Sequence, residues 1–385
     1  LENNLVITRN VNRQYDDSFA VQGAKIGSTL RIRLPDRALV TDGAALQVQD
    51  DNEQYTTLTV STQKHIGMNF TTAELTMQLD DFADRVLKPR VSQLAASIDA
   101  DVANAYKGIF ASVGTPGTTP ATSLVLLQAQ QKLNESAAGM NPRYATVSPA
   151  ANAGLVEGMK GLFNPTDTVS KQFKNGMMGT GVLGLDEINM SQSILQHTTG
   201  TRDATAATTV GATITTQGST TITLSQASVT TTLTAGDVFT IAGVNAVNPQ
   251  TRQSTGSLQQ FVVTAAATAV AGTWTVSVLP AMYTSGNALA TIDAFPVVSA
   301  VVTFLGTAST QYPQNLVYHK DAITFATADL LLPQGVDMAS RQVHNGISLR
   351  IVRQYDINND RMPCRIDVLY GYSVIRPAMA CRLWG

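Results

Sequence analysis

The sequence predicts a mixed α+β chain carrying an inserted all-β domain, and three observations carry that expectation. A capped apolar stripe runs at helical spacing from Thr71 to about Phe110. A block rich in Thr, Ser, Ala, Val and Gly, from Thr199 to Tyr312, alternates apolar and polar residues between Gly-containing turns. Charged residues make up only 14% of the 385 residues while 44% are hydrophobic, against roughly 25% charged in ordinary soluble domains. A surface so poor in charge belongs in a membrane or against other copies of itself. No stretch approaches the roughly 20 apolar residues of a spanning helix, which leaves the second option. With 26 Lys plus Arg against 28 Asp plus Glu, the net charge of −2 excludes a strongly basic nucleic-acid packer and an acidic disordered tail.

The elements follow in chain order. The chain opens at Leu1 without an initiator Met, so a trimmed or omitted start is expected and no signal peptide is assigned. Leu30, Ile32 and Leu34 alternate with Arg31 and Arg33 until Pro35, which reads as a strand. A hairpin is expected next: Asp42-Gly43 is a turn signal, and Leu46 and Val48, then Leu58 and Val60, alternate around the polar stretch Asp50 to Gln54. This long ribbon buries little of itself and needs a partner surface. Thr71 with Glu74 then opens the helix, whose stripe is Leu75, Leu79, Phe82, Val86, Val91, Leu94, Ile98, Val102 and Ile109. Pro89 must interrupt or kink it. Some 30 residues of helix span about 45 Å, more than an ordinary compact domain accommodates.

After the loop at Gly114, Pro116 and Gly117, Leu124 to Leu133 reads as a shorter amphipathic helix, and 136–198 as short elements and loops. In the Thr-rich block the only charged residues are Arg202, Asp203, Asp237, Arg252 and Asp293. Strands are expected over Thr213 to Leu224, Val238 to Ala242, Phe261 to Val263 and Trp274 to Val278, closing as a barrel or sandwich. Beyond it, Ser348 to Tyr355 and Arg365 to Val374 read as strands.

Motifs that carry chemistry have bland readings. Gly179 to Gly184 spells GxGxxG, but Lys171 to Gly176 ahead of it is no apolar strand and Leu185 to Ile194 behind it is extended, so a glycine loop is expected and no dinucleotide site. His65, His197, His319 and His344 show no metal-ligand spacing and read as surface or interface residues. Asp80, Asp81, Asp84, Asp99 and Asp101 read as the solvated face of the helix. Cys364 and Cys381 are expected to stay reduced. No catalytic residue, cofactor or metal site is assigned. Arg31, Arg33 and Arg37 are candidate inter-subunit contacts that pair with Asp50, Asp51 and Glu53 of a neighbour, Arg341, Arg350, Arg353, Arg361 and Arg365 form a second basic group, and the alternative for these arginines is light contact with phosphate.

Three stretches carry a family resemblance: Val182-Leu183-Gly184-Leu185-Asp186-Glu187, Ala235 to Val244, and Cys364 to Tyr372 with Arg376-Pro377. Taken with the order of parts, the chain resembles tailed-bacteriophage major capsid proteins of the Hong Kong 97-like fold, in the coat-protein branch of short-tailed Salmonella-type phages with a β-barrel insertion domain. The resemblance implies an N-terminal arm and ribbon loop over 1–64, a spine helix and peripheral domain over 65–135, and a first axial part over 136–198. It further implies an inserted all-β domain over 199–314 and a return to the axial and peripheral domains over 315–385. It implies a shell of hexamers and pentamers around double-stranded DNA, touched weakly and non-specifically. Assembly takes place in the host bacterial cytoplasm with scaffolding and portal proteins, with a decoration protein as an optional helper. Some relatives cross-link a ribbon lysine to a neighbour's asparagine, but no lysine lies between Lys25 and Lys64, which argues against that bond here. The competing readings are a tail or adhesin protein, from the Thr-rich block, and a dinucleotide enzyme resting on Gly179 to Gly184 alone. The isolated subunit is expected to be extended, with a radius of gyration above the about 21 Å of a compact chain this long.

Overall fold

Alternation at Leu30 and Ile32 does build a strand. Thr29–Arg33 pairs antiparallel with Tyr55–Thr59, Leu30 facing Leu58, and both apolar residues pack with Leu58, Val60, Ala326 and Ala328. The computed structural model describes residues 5–16, 29–41, 43–44, 46, 48, 53–69, 87–158, 179–203, 205–227 and 230–385. The chain forms two units: Leu1–Leu34, Tyr55–Val102 and Ile323–Ile375 make one, and Pro35–Gln54, Ala103–Ala322 and Arg376–Gly385 the other. Among the described residues no helix is long and apolar enough to cross a membrane.

The first unit is built on a six-stranded sheet. Its order is Asn12–Asp16, Ile323–Ala328, Cys364–Val374, Ile347–Arg353 and Met338–His344, with Thr62–Met68 also pairing with Cys364–Val374. Only the pairing of Asn12–Asp16 with Ile323–Ala328 is parallel. The helix Lys88–Ala103 buries Leu94, Ala95, Ile98 and Val102 at spacings of one, three and four. Pro89 is the second residue of that range, and residues 70–86 ahead of it lie outside the described ones. A 3-10 turn, Asn104–Gly108, ends the run before Ile109. The earlier part of the expected helix, from Thr71, and the proposed kink lie outside the described residues.

In the second unit a sheet runs in the order Ser112–Val113, Ala380–Trp384, Gln311–His319, Arg143–Val147, Leu185–Met190 and Gly179–Val182, with Gln196–Thr198 also pairing with Gln311–His319. The helices Ser123–Glu135 and Pro149–Gly158 cover it, placing Leu126, Leu133 and Leu155 against Val147, Ile188, Val317 and Leu383. Gly179 to Gly184 is a β-hairpin. Leu183 and Gly184 both have positive φ (53° and 73°), the primed turn that returns a strand on itself, so the glycines serve a reversal and no helix opens there. The expected glycine loop is therefore a paired strand and its turn.

Between Gln196–Thr198 and Gln311–His319, residues 208–304 close a barrel. Its strands run in the order Thr208–Val210, Ser219–Ser225, Thr273–Met282, Ser254–Val263, Val238–Val247 and Val301–Phe304, every pairing antiparallel. Inward positions Ile222, Leu224, Phe239, Ile241, Phe261, Trp274 and Val276 fill it, Phe239 and Phe261 stacking at 5.7 Å. Outward positions pair hydroxyls across strands, Thr223 with Thr275 and Thr221 with Ser277. Thr213 to Gly218 is irregular, so the strand is shorter than the alternation predicts.

One further expectation fails. The described residues among 34–54 hold no strand, and Val40, Leu46 and Val48 are 90%, 89% and 83% exposed. Alternation alone makes no strand where no second strand supplies hydrogen bonds.

Candidate functional site

The barrel is tied to its host sheet by a buried polar knot. Thr234 to Asp237 makes a tight turn in which Gly236, at φ +105°, allows the chain past Tyr106 and His197; a Cβ there would stand 3.0 Å from the Tyr106 ring. The turn aims the buried Asp237 carboxylate at the neck: it accepts from Thr234 N at 2.8 Å, Gly200 N at 3.1 Å and His197 Nε2 at 2.9 Å. His197 Nδ1 meets the Tyr106 hydroxyl at 3.3 Å. Alongside, the fully buried Arg382 donates to the Gly236 carbonyl at 2.6 Å and through Nε and Nη2 to Gln314 Oε1 at 2.8 and 2.6 Å. Its guanidinium lies between the Trp384 and Tyr106 rings, 4.8 and 5.1 Å from their centroids. Burial pushes the Arg382 pKa down to about 10. Burial likewise raises the Tyr106 phenol, Arg382 opposing and Asp237 adding. An Asp, a His and a Tyr in series suggest proton transfer, but all three are buried and each is spent on joining one element to another. The knot fixes the barrel's orientation.

A second set of anchors holds the first unit together. Asp99 is buried and accepts from the backbone N–H groups of Val6, Ile7 and Thr8 and from the Thr8 hydroxyl, at 2.9 to 3.1 Å. It thereby caps the short helix Ile7–Asn10 from a distance and pins the start of the chain. Asp101 pairs with Lys64 at 2.6 Å and accepts from Tyr370, whose pKa burial and that carboxylate both raise. Neither carboxylate belongs to a merely solvated face, which corrects the sequence reading. Asp367, fully buried, accepts from Arg350 at 2.7 Å, Arg365 at 2.5 Å and Gln63 at 3.2 Å. Burial raises its pKa, but those hydrogen bonds outweigh the effect and hold it below the usual carboxylate range. Arg353 and Arg341 pair with Asp337 and Asp329. Four arginines of the second basic group therefore have partners within the chain.

Of the sequence-predicted contacts, Arg31, Arg33 and Arg37 are exposed, as is Glu53, while Asp50 and Asp51 lie outside the described residues. Arg31 lies over the Tyr55 ring at 4.3 Å. His65 and His344 are exposed, whereas His197 and His319 are buried, so the surface reading fails for those two. Sequence reasoning missed Asp99, Asp237 and Arg382. Only Asp99 left a signal, standing four residues after the buried Ala95. Both cysteines are free and buried, and burial pushes the Cys381 thiol up to about 12. Among the described residues no three of His, Cys, Asp and Glu stand where they would hold a metal ion.

The family model described as "P22 coat protein - gene protein 5" matches residues 1–385. No curated protein matches the chain. Among solved structures, one from Mycobacterium phage Che8 is similar at a TM-score of 0.50 and 11% identity, covering 98% of this chain and 90% of that one. The mature capsid of bacteriophage PhiM1 matches at a TM-score of 0.47 and 12% identity, covering 98% and 86%. The capsid of Cyanophage P-SCSP1u matches at 0.47 and 11%, covering 99% and 88%. Identities this low speak to the fold alone.

Proposed function

We propose how the parts share the work in a chain that belongs to the P22 coat protein family and is a bacteriophage major capsid protein, a multimeric shell component with a structural role. The family match spans the chain and leaves the tail or adhesin alternative without support.

In this reading the first unit and the ribbon residues 35–54 form the tiling body of a Hong Kong 97-like subunit, and the host sheet of the second unit forms the axial part. The barrel is the insertion domain. Copies close hexamers and pentamers around double-stranded DNA, with scaffolding and portal proteins taking part, in the cytoplasm of the host bacterium. The observation that supports this most directly is the ribbon. Val40, Leu46 and Val48 stand almost wholly in solvent, and apolar side chains presented on an irregular strip gain their burial from a neighbouring surface. Arg31, Arg33 and Glu53 flank that strip and set register by pairing across the contact, with Asp50 and Asp51 as the acidic counterparts. Rim pairs of this kind govern which neighbour docks more than how tightly. The low overall charge suits a container, since a densely basic lining would hold phosphate through counterion release and hinder passage of the genome.

The test is co-expression of the chain with its scaffolding protein, followed by electron microscopy. Closed shells are expected from the unaltered chain, and Leu46→Asp with Val48→Asp is expected to yield soluble, folded subunits that do not close. Closed shells from that double variant would show the ribbon to be dispensable. Small-angle scattering of the free subunit is expected to give a radius of gyration above the compact value of about 21 Å.

A further inference from the structure

In the second unit Arg252 reaches the backbone beside Arg37, Arg376 acts on Arg37 electrostatically, and among the described residues no ion pair joins any of the three. The Asn248 to Gln253 turn, at the tip of the hairpin joining Val238–Val247 to Ser254–Val263, is locked by the Asn248 side chain, which accepts from Gln250 N at 2.9 Å and Thr251 N at 3.1 Å. It is locked again by Arg252 N donating to the Asn248 carbonyl at 2.8 Å. The turn holds Arg252 at φ +57°, a conformation usually left to Gly or Asn. So placed, the Arg252 guanidinium donates to the Ala38 carbonyl, one residue beyond Arg37, while its Nε–H is buried with no acceptor among the described residues. Arg376, fixed by its backbone N–H on the Ala322 carbonyl, stands within electrostatic reach of Arg37. Although its side chain reaches solvent, partial desolvation by the atoms around it, then the like charges of Arg252 and Arg376, push the Arg37 guanidinium below its usual range. The nearest acid in sequence, Asp36, turns its carboxylate to the Arg37 backbone N–H at 2.8 Å.

Like charges gathered in this way are unfavourable until an anion joins them. Arg252 and Asp293 aside, the barrel strands and their turns carry almost no charge beyond Asp237, so a cation at this tip stands out. We propose that Arg37, Arg252 and Arg376 form a binding site for a phosphoryl oxyanion. Three planar forks offer more donors than one carboxylate has lone pairs, whereas a phosphoryl group presents several oxygens and up to two charges to them. The phosphoryl group is supplied either by free oligophosphate or by a nucleic-acid backbone. This inference goes beyond the shell reading and does not depend on it.

The experiment is calorimetric titration of the full-length, unassembled subunit with sodium tripolyphosphate and, separately, with a 20-base-pair duplex. The unaltered chain is expected to bind tripolyphosphate, and Arg37→Gln and Arg376→Gln each to weaken binding roughly tenfold, the worth of one charge-assisted hydrogen-bonded group. Arg37→Lys, which keeps the charge and loses the fork, is expected to fall between. Unchanged melting curves verify that the variants fold. Duplex binding that weakens in step assigns the site to nucleic acid, and tripolyphosphate binding without duplex binding assigns it to free oligophosphate; either outcome supports the proposal. Absence of binding by both probes, or binding that the substitutions leave unchanged, overturns it. So does displacement of tripolyphosphate by a peptide of residues 36–53 at equal charge, which would give the site to carboxylates of a second copy. Closed shells in the co-expression experiment together with no oxyanion binding would defeat this inference alone.

Discussion

The barrel and the sheet of the first unit hold themselves together by different means. The barrel draws all its strands from one stretch, residues 208–304, and its interior is apolar from Val210 to Val302. The first-unit sheet gathers strands from 12–16, 62–68, 323–328, 338–344, 347–353 and 364–374, and the unit buries Ile7, Ile98, Val102, Phe325 and Val368 as well as the cluster at Leu58, Val60, Ala326 and Ala328. To this it adds charged anchors that bridge long stretches of chain: Asp99 to residues 6–8, Gln63 to Asp367, and Lys64 to Asp101. Charge is therefore scarce where local burial suffices and present where distant segments must be held in register. A buried ion pair adds little net stability against an apolar substitute, but losing one partner is costly, and that asymmetry suits register.

The sharpest way to break this comparison is to empty the barrel. Trp274→Ala is expected to cost about 3–5 kcal/mol. Hydrogen exchange should show protection lost across 208–304 and kept in Cys364–Val374; equal loss in both would mean that the two regions are not separate stability units. Asp99→Ala strips several buried donors of their acceptor, and a cost of about 2–3 kcal/mol is expected. Faster proteolysis near residues 5–16 is the readout. Asp367→Asn should cost about 1–2 kcal/mol and carries a pH signature. The folded pKa of Asp367 lies below its unfolded value, so its contribution is complete above the unfolded pKa of about 4 and is lost as pH falls through the folded one. The acid limb of the melting profile should accordingly flatten in the variant below about pH 4. Smallest of all, Arg353→Ala, which removes a solvent-exposed pair with Asp337, is expected to change stability by under about 0.5 kcal/mol.

Legibility in the sequence follows the same division. Alternation at Ile222, Leu224, Trp274, Val276 and Val278 announces barrel strands because each fills an interior built from a single continuous stretch of chain. The same alternation at Leu46 and Val48 misleads: among the described residues no strand pairs there, and pairing is a tertiary fact. Asp99 was readable in principle: Ala95, Asp99 and Val102 share one helix face, and an acid on a buried stripe is an anchor. The neck is different. His197, Asp237, Gln314 and Arg382 come from four places in the chain with no spacing to connect them, and only the closed fold brings them together.

The barrel's two stems deserve a last consequence. Gln196–Thr198 leaves the host sheet and Gln311–His319 returns to it, and the two are hydrogen-bonded to each other, Thr198 opposite Gln311. Their separation is one strand spacing, about 5 Å. The barrel is therefore a cassette on a clasped stalk: another domain with adjacent termini would fit the same socket without shifting any register beneath it. Such a graft would have to supply substitutes for the Gly236 carbonyl and the Asp237 carboxylate, or Arg382 Nη1 and His197 Nε2 would each be left buried without the partner it now has.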